Sequence, residues 1–248
     1  MFVARDEAAL VSMARAQIEG GASCIDLNAS MLMGAEEDAL HWSARIIRDA
    51  LEVPVMLDSP DARMLARLVA EFGAGSILNS LAADAETLEE ILPAVSHSGA
   101  GVVIMLKDRH GIPASVEGKL ALAERAVACA SERGVSLEKI FIDPVVVPMA
   151  IAPAGAMEAL DCTRALKERF PACMRIGGLS NVSFGLPERR LLNRAFAASA
   201  VASGMTALIC DTTDHDLMKA IHASEVVAGL DPHCRQYLER FRRPRGAA

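Results

Sequence analysis

The stretch "VPVMLDSPDARMLARLVAEFGAGSILN", residues 53–79, contains one whole repeat of the fold. It opens on an apolar run that ends in Asp58 and passes into a segment whose apolar residues recur at intervals of three and four. It stops at Gly73 and enters a second apolar run that ends in Asn79. A continuously apolar strand is one covered on both faces, and two such strands lie parallel only if a crossover joins them; the amphipathic segment supplies it. Residues 53–79 therefore read as strand, helix, strand.

The same pattern extends in both directions. Apolar strand candidates recur at 22–28, 53–58, 75–79, 101–106, 139–143, 174–178 and 206–210, seven in all. Helical periodicity fills the intervals, for example at 35–51, 60–73, 84–99, 117–134 and 189–204, and a further helix at 6–21 precedes the first strand. Gly73, Gly99, Gly134 and Gly204 stand where a left-handed residue would end a helix. Repeats of roughly 25 to 35 residues predict an α/β fold, a (β/α)8 TIM-type barrel, as one domain over residues 1–248. An open doubly wound sheet is the alternative. Only seven strands are visible, so the barrel is expected to lack its first strand here, leaving the edges of the first and last visible strands open.

Composition narrows the function. The chain has 248 residues, 52% of them hydrophobic, enough for a large core, and its net charge of −7 is spread over both signs. That balance does not suggest a nucleic-acid surface; the arginine-rich end "RFRRPRG", 240–246, reads as a solvated terminus. No apolar run reaches the roughly 18 residues of a membrane span, and "MFVARDEAAL" carries charges where a signal peptide needs an apolar centre. A cytoplasmic protein is expected. Six cysteines without Cys-x-x-Cys pairs read as reduced thiols.

The strands end on polar residues: Asp26 and Asn28, Asp58, Asn79, Asp143, and Asn181 just beyond Gly178. Singly, each could end a strand or cap a helix; Asp58 could cap the helix after Pro60, and Asp143 could form a turn with Pro144. In a parallel barrel all these ends open on one face, where barrel enzymes place their active sites. Carboxylates and amides gathered there must be satisfied. With no histidine or lysine at the strand ends, they suit a ligand rich in hydrogen-bond donors, such as a guanidine-like heterocycle, better than a phosphate.

At "CIDLNAS", "VMLDSPD", "ILNS", "FIDPVVVP" and "GLSNVSFGLPERRLLNRAF" the chain resembles the pterin-binding methyltetrahydrofolate:corrinoid methyltransferases, relatives of the folate domain of cobalamin-dependent methionine synthase. The resemblance runs over nearly the whole chain in order. It implies a barrel that holds a pterin over its rim, with Asp58, Asn79 and Asp143 hydrogen-bonding the ring and Asp26 and the backbone at Gly178 nearby. Arg189 lies near the remainder of the folate, and Asn181 reaches N5 as the catalytic residue. It further implies methyl transfer between N5 of a tetrahydrofolate and the cobalt of a corrinoid carried by a partner protein, no bound metal of its own, and a homodimer.

The loop "MLKDRHGIPAS" departs from the family pattern: Asp108 stands where a relative places asparagine. It reads either as a turn built on Gly111 and Pro113, or as a pterin contact at Asp108 with Lys107 or Arg109 meeting the glutamyl tail or the corrinoid protein. His215 and His222 are seven apart without a third ligand, which does not make a zinc site. Two other functions stay open: dihydropteroate synthase, whose serine- and arginine-rich loop and late Arg-x-His the chain lacks, and a barrel that binds a folate or a corrinoid protein without turnover.

Overall fold

The computed structural model describes residues 3–32 and 34–242. Of the arginine-rich end, residues 243–248 lie outside the described residues. Seven parallel strands, β1 (Ile25–Asn28), β2 (Val55–Asp58), β3 (Ser76–Ala82), β4 (Gly101–Met105), β5 (Ile140–Asp143), β6 (Met174–Gly178) and β7 (Ala207–Ile209), pair strictly in chain order. A doubly wound sheet reverses its strand order midway; this one does not, so the barrel expectation holds and the alternative falls. Eight helices accompany the strands: α1 (Glu7–Glu19), α2 (Glu36–Leu51), α3 (Ala62–Phe72), α4 (Ala85–Ser98), α5 (Val116–Glu132), α6 (Gly155–Arg169), α7 (Arg189–Ser203) and α8 (His215–Val227). A short α9 (Arg235–Phe241) follows.

The 53–79 unit shows how sequence becomes structure. Val55 and Leu57 of β2 are fully buried and turn outward to meet Leu65 and Val69 of α3. The α3 helix begins where the Asp61 carboxylate accepts from the Met64 N–H at 3.0 Å. Asp61, and not Asp58, is therefore the cap, and Asp58 is left to the barrel mouth. Gly73 does end α3 with a positive φ of 67°, but its ψ of −149° turns the chain out at once instead of completing a left-handed cap. Gly99 and Gly204 are true left-handed caps, and Gly134 follows Arg133, the capping residue of α5.

Side chains alternate across each strand, which sorts the barrel into two environments. Outward residues such as Leu27, Leu57, Leu78, Val102, Ile104 and Ile142 form the main core with the helices. Inward, Cys24, Met56, Ile77, Val103, Phe141, Ile176, Ala207 and Ile209 make a separate apolar cluster. Gly101 leaves room there, since a Cβ at that position would lie 3.2 Å from both Ile77 and Phe141. One step further along the inward face come Asp26, Asp58, Asn79, Asp143 and Gly178: a polar layer on an apolar floor.

In register Asn28 pairs with Asp58 and Asp58 with Asn79, while Asp26 pairs with Met56 and so starts the polar layer one step lower on β1. Beyond Asn79 the register slips against β4, so that Ser80 is an extra residue and Leu81 pairs with Ile104. Among the described residues β7 pairs only with β6, and β1 only with β2, so the barrel is nearly closed. The end of α1 bridges the seam: the Thr212 hydroxyl donates to the Gln17 carbonyl at 2.7 Å. Gly20 presses on the same residue, so closely that a Cβ there would lie 2.3 Å from the Thr212 carbonyl oxygen.

Candidate active site

Four of the expected residues form two hydrogen-bonded pairs, linked by the repulsion between Asp26 and Asp58. The Asn28 amide donates to Asp58 at 2.7 Å while its own oxygen accepts from the Ser30 N–H and hydroxyl at 3.0 and 2.7 Å. Asn79 donates to Asp26 at 3.4 Å. Each carboxylate thus has one amide donor, and the amides orient the carboxylates without neutralising them. Glu36, at the start of α2, adds its charge to the repulsion on Asp58 and buries one carboxylate oxygen without a partner.

The electrostatic result is a set of carboxyls that ionise with difficulty. Burial inside the barrel pushes Asp26 up to about 7, the Asp58 charge adds to the rise, and the Asn79 hydrogen bond opposes it. Walls of protein surround Asp26 on most sides, yet its surface stays open to solvent at the mouth. Asp58 is raised too, first by burial and against the Asn28 hydrogen bond. Beneath them, burial and Asp26 push the Cys24 thiol up to about 12, which removes it as a nucleophile.

Asp143 shares the inward face from β5 and has its own support. Its Oδ1 accepts from the Val145 N–H at 2.8 Å, so the turn reading of this residue is correct as far as one oxygen goes. Val145 makes that bond with a φ of 63°, a left-handed backbone that costs a β-branched residue about 1–3 kcal/mol. Burial pushes Asp143 up to about 6, while the Val145 N–H, Lys119 and Lys107 hold it down.

Beyond β6 the chain makes a short 3-10 turn, Leu179–Ser183, in which Leu179, Val182 and Ser183 are buried and Asn181 points out. The Asn181 amide lies over Gly178, where a Cβ would sit 2.9 Å from its Nδ2. It has no side-chain hydrogen bond to the described protein. Arg189, at the start of α7, braces the turn: it donates to the Ser183 hydroxyl at 3.1 Å and to the Ser180 carbonyl at 2.9 Å, with its guanidinium over Phe184. These bonds tie it to the protein.

Asp108 is a turn residue. Its carboxylate accepts from the His110 N–H at 2.8 Å, and its backbone bridges to Gly111. Lys107 and Arg109 are exposed on the same hairpin. His222 pairs with Glu225 at 3.1 Å and His215 is exposed. Among the described residues no three His, Cys, Asp or Glu side chains are placed to hold a metal, and no helix is long and apolar enough to cross a membrane.

Sequence reading missed Lys119. The residue is 2% exposed, and its ammonium donates to the Pro144 carbonyl at 2.9 Å, next to Asp143. A signal for it existed: Lys119 falls on the same helical stripe as Leu122, Ala123, Ala126, Val127 and Ala130, the buried face of α5.

The arrangement presents carboxylate acceptors and amides above an apolar floor, with an uncommitted amide at one side. It can hold a flat, donor-rich ring and place a hydrogen-bonding group against one ring atom. The sequence matches the pterin binding enzyme family over residues 2–211. It is 32% identical over 240 residues to a methylcorrinoid:tetrahydrofolate methyltransferase of Eubacterium limosum, covering 96% of this chain and 89% of that protein. It is 28% identical over 238 residues to a methionine synthase of Mycobacterium leprae, where the match spans 91% of this chain but 19% of the larger enzyme. In structure it resembles a dihydropteroate synthase from Coxiella burnetii solved with pteroic acid, with a TM-score of 0.68 over 91% of this chain and 87% of that one. At 19% identity this last likeness speaks for the fold alone.

Proposed function

Because the chain belongs to the pterin binding enzyme family, we propose that its mouth binds the pterin of a tetrahydrofolate and that the protein transfers a methyl group between N5 of that folate and the cobalt of a corrinoid protein. The observation that carries this reading is the uncommitted Asn181 amide, held over Gly178 beside a layer of carboxylates. The similarity to a methylcorrinoid:tetrahydrofolate methyltransferase over 96% of the chain supports it.

A pterin edge carries an N3–H and a 2-amino group side by side, and one carboxylate can accept from both in a paired contact. Asp58 and Asp143 serve as the acceptors, with Asn79 and Asp26 completing the ring contacts. A ligand that donates to these carboxylates favours their charged form, so binding offsets the cost of ionising them in the mouth. Gly178 lets the backbone approach the ring.

At N5 the bond to the methyl carbon is hard to break because the departing nitrogen is poorly able to accept the bonding electrons. A hydrogen bond that strengthens as the bond lengthens lowers the barrier, and on this reading the Asn181 amide gives it. An amide can donate to or accept from N5, so it follows the nitrogen's protonation without carrying charge, and it serves transfer in either direction. The corrinoid, when docked, supplies the cobalt that gives or takes the methyl group. Alignment of the two reactants by the protein contributes the remainder. The partner is a corrinoid protein; a homodimer and a cytoplasmic location complete the reading.

Absorbance of reduced corrinoid mixed with the protein and methyltetrahydrofolate tests the assignment. Loss of the Co(I) signal is expected, as is formation of methyltetrahydrofolate from a methylated corrinoid and tetrahydrofolate. Asn181→Ala should still bind methyltetrahydrofolate but lose about a hundredfold in rate. No transfer in either direction would overturn the proposal, and loss of binding without loss of rate in Asn181→Ala would overturn the role given to that residue.

A further inference from the structure

Lys119 is a charge in a place where helices keep apolar residues. The other residues of its stripe, Leu122, Ala123, Ala126, Val127 and Ala130, are buried packing residues. A surface lysine lays its stem on apolar neighbours and lifts its head into water. This one turns its head inward to the Pro144 carbonyl at 2.9 Å. A buried ammonium with one neutral acceptor is costly unless a negative charge compensates it.

The compensation lies one residue away. Pro144 joins Asp143 to Val145, and Val145 holds the left-handed backbone, φ 63°, that aims its N–H at the Asp143 carboxylate. We propose that Lys119 is a positioning residue for the mouth: anchored on the Pro144 carbonyl, it holds the left-handed turn that orients Asp143 and sets a positive charge behind that carboxylate. The charged groups facing Asp143 from the packed elements are Lys119 on α5 and Lys107 after β4, and Cys162 on α6 senses both Asp143 and Lys119. Lys107 is exposed and screened by solvent, while Lys119 is not.

The consequence for pterin affinity rests on the function proposed above; the action of the lysine on Asp143 does not. The Val145 amide resonance, hydrogen-bonded to the carboxylate, reports its ionisation directly. Its pH titration in the protein without ligand should show an inflection near 6, the value to which Asp143 is pushed. Loss of that inflection in Asp143→Asn assigns it; its persistence there counts against the proposal. Lys119→Met should move the midpoint up by about one pH unit, a tenfold change in protonation, while Lys119→Arg leaves it close to wild type. Lys119→Gln makes the same comparison if the methionine variant does not fold.

Methyltetrahydrofolate affinity should then fall in Lys119→Met by about twofold at pH 7 and about fivefold at pH 6, and recover as the pH is raised. An unmoved midpoint in Lys119→Met, or an equal shift in Lys119→Arg, overturns the proposal. A wild-type protein that binds no methyltetrahydrofolate overturns the pterin reading instead, and the midpoint still decides the role of the lysine.

Discussion

Gly178 owes its lack of a side chain to its neighbour. Its φ of −74° suits any residue, so backbone strain does not require glycine there; the space taken by the Asn181 amide does. An added Cβ meets only the end of a flexible side chain, and the fold can yield by moving Asn181. Gly178→Ala is therefore expected to keep its melting temperature within a few degrees while losing at least tenfold in transfer rate, because the displaced group is the one proposed to meet N5. Thermal unfolding and a corrinoid assay on the same preparation check this; an active Gly178→Ala enzyme would show that the amide does not act from its observed place. The residues differ in how legible they were. Asp58 ends its strand, where polarity after an apolar run is visible in one dimension; Asn79 reads the same way, yet β3 runs on past it to Ala82 across the slip at Ser80. The use of Asp108 and of one Asp143 oxygen in turns depends on which backbone N–H each meets, and side-chain identity does not carry that.

Among the elements, strands and crossover helices were readable because both periods are local. The short α9, seven residues long with none buried, is not periodic enough to stand out. What one-dimensional reading could not supply is how the seam between β7 and β1 is bridged, since the contact joins Gln17 to Thr212, 195 positions apart. That joint is tight. Gly20 has an ordinary helical φ of −70°, yet a Cβ would lie 2.3 Å from the Thr212 oxygen and 2.8 Å from its carbonyl carbon, both backbone atoms that cannot swing aside. Gly20→Ala should destabilise the protein by about 1–3 kcal/mol, read as a lower urea midpoint by circular dichroism. Unchanged stability would mean that α1 leaves the seam easily.

The molecule as a whole sets an apolar shell against a polar mouth. Burying leucines such as Leu57, Leu65 and Leu78, each fully enclosed, contributes roughly 1.5–3 kcal/mol apiece and offsets the cost of carboxyls that resist ionisation. Asp26, Asp58 and Asp143 all have folded-state values above the roughly 3.9 of an unfolded aspartate. The sign follows: these groups favour the fold most below about pH 4, and their contribution is lost as the pH rises toward 7, the value for Asp26. Between pH 5 and 8 the difference in stability between Asp26→Asn and wild type should therefore move in favour of the variant. A difference that is constant with pH would mean that Asp26 titrates in the fold as it does in water. The seam has a further meaning for how the molecule is assembled. Closing a loop of 195 residues costs about 5 kcal/mol in chain entropy, and one neutral hydrogen bond returns about 1 kcal/mol. The Gln17–Thr212 contact cannot gather the chain by itself. The six successive strand pairings, each made between neighbours in sequence order, shorten that loop step by step until its two ends already lie side by side.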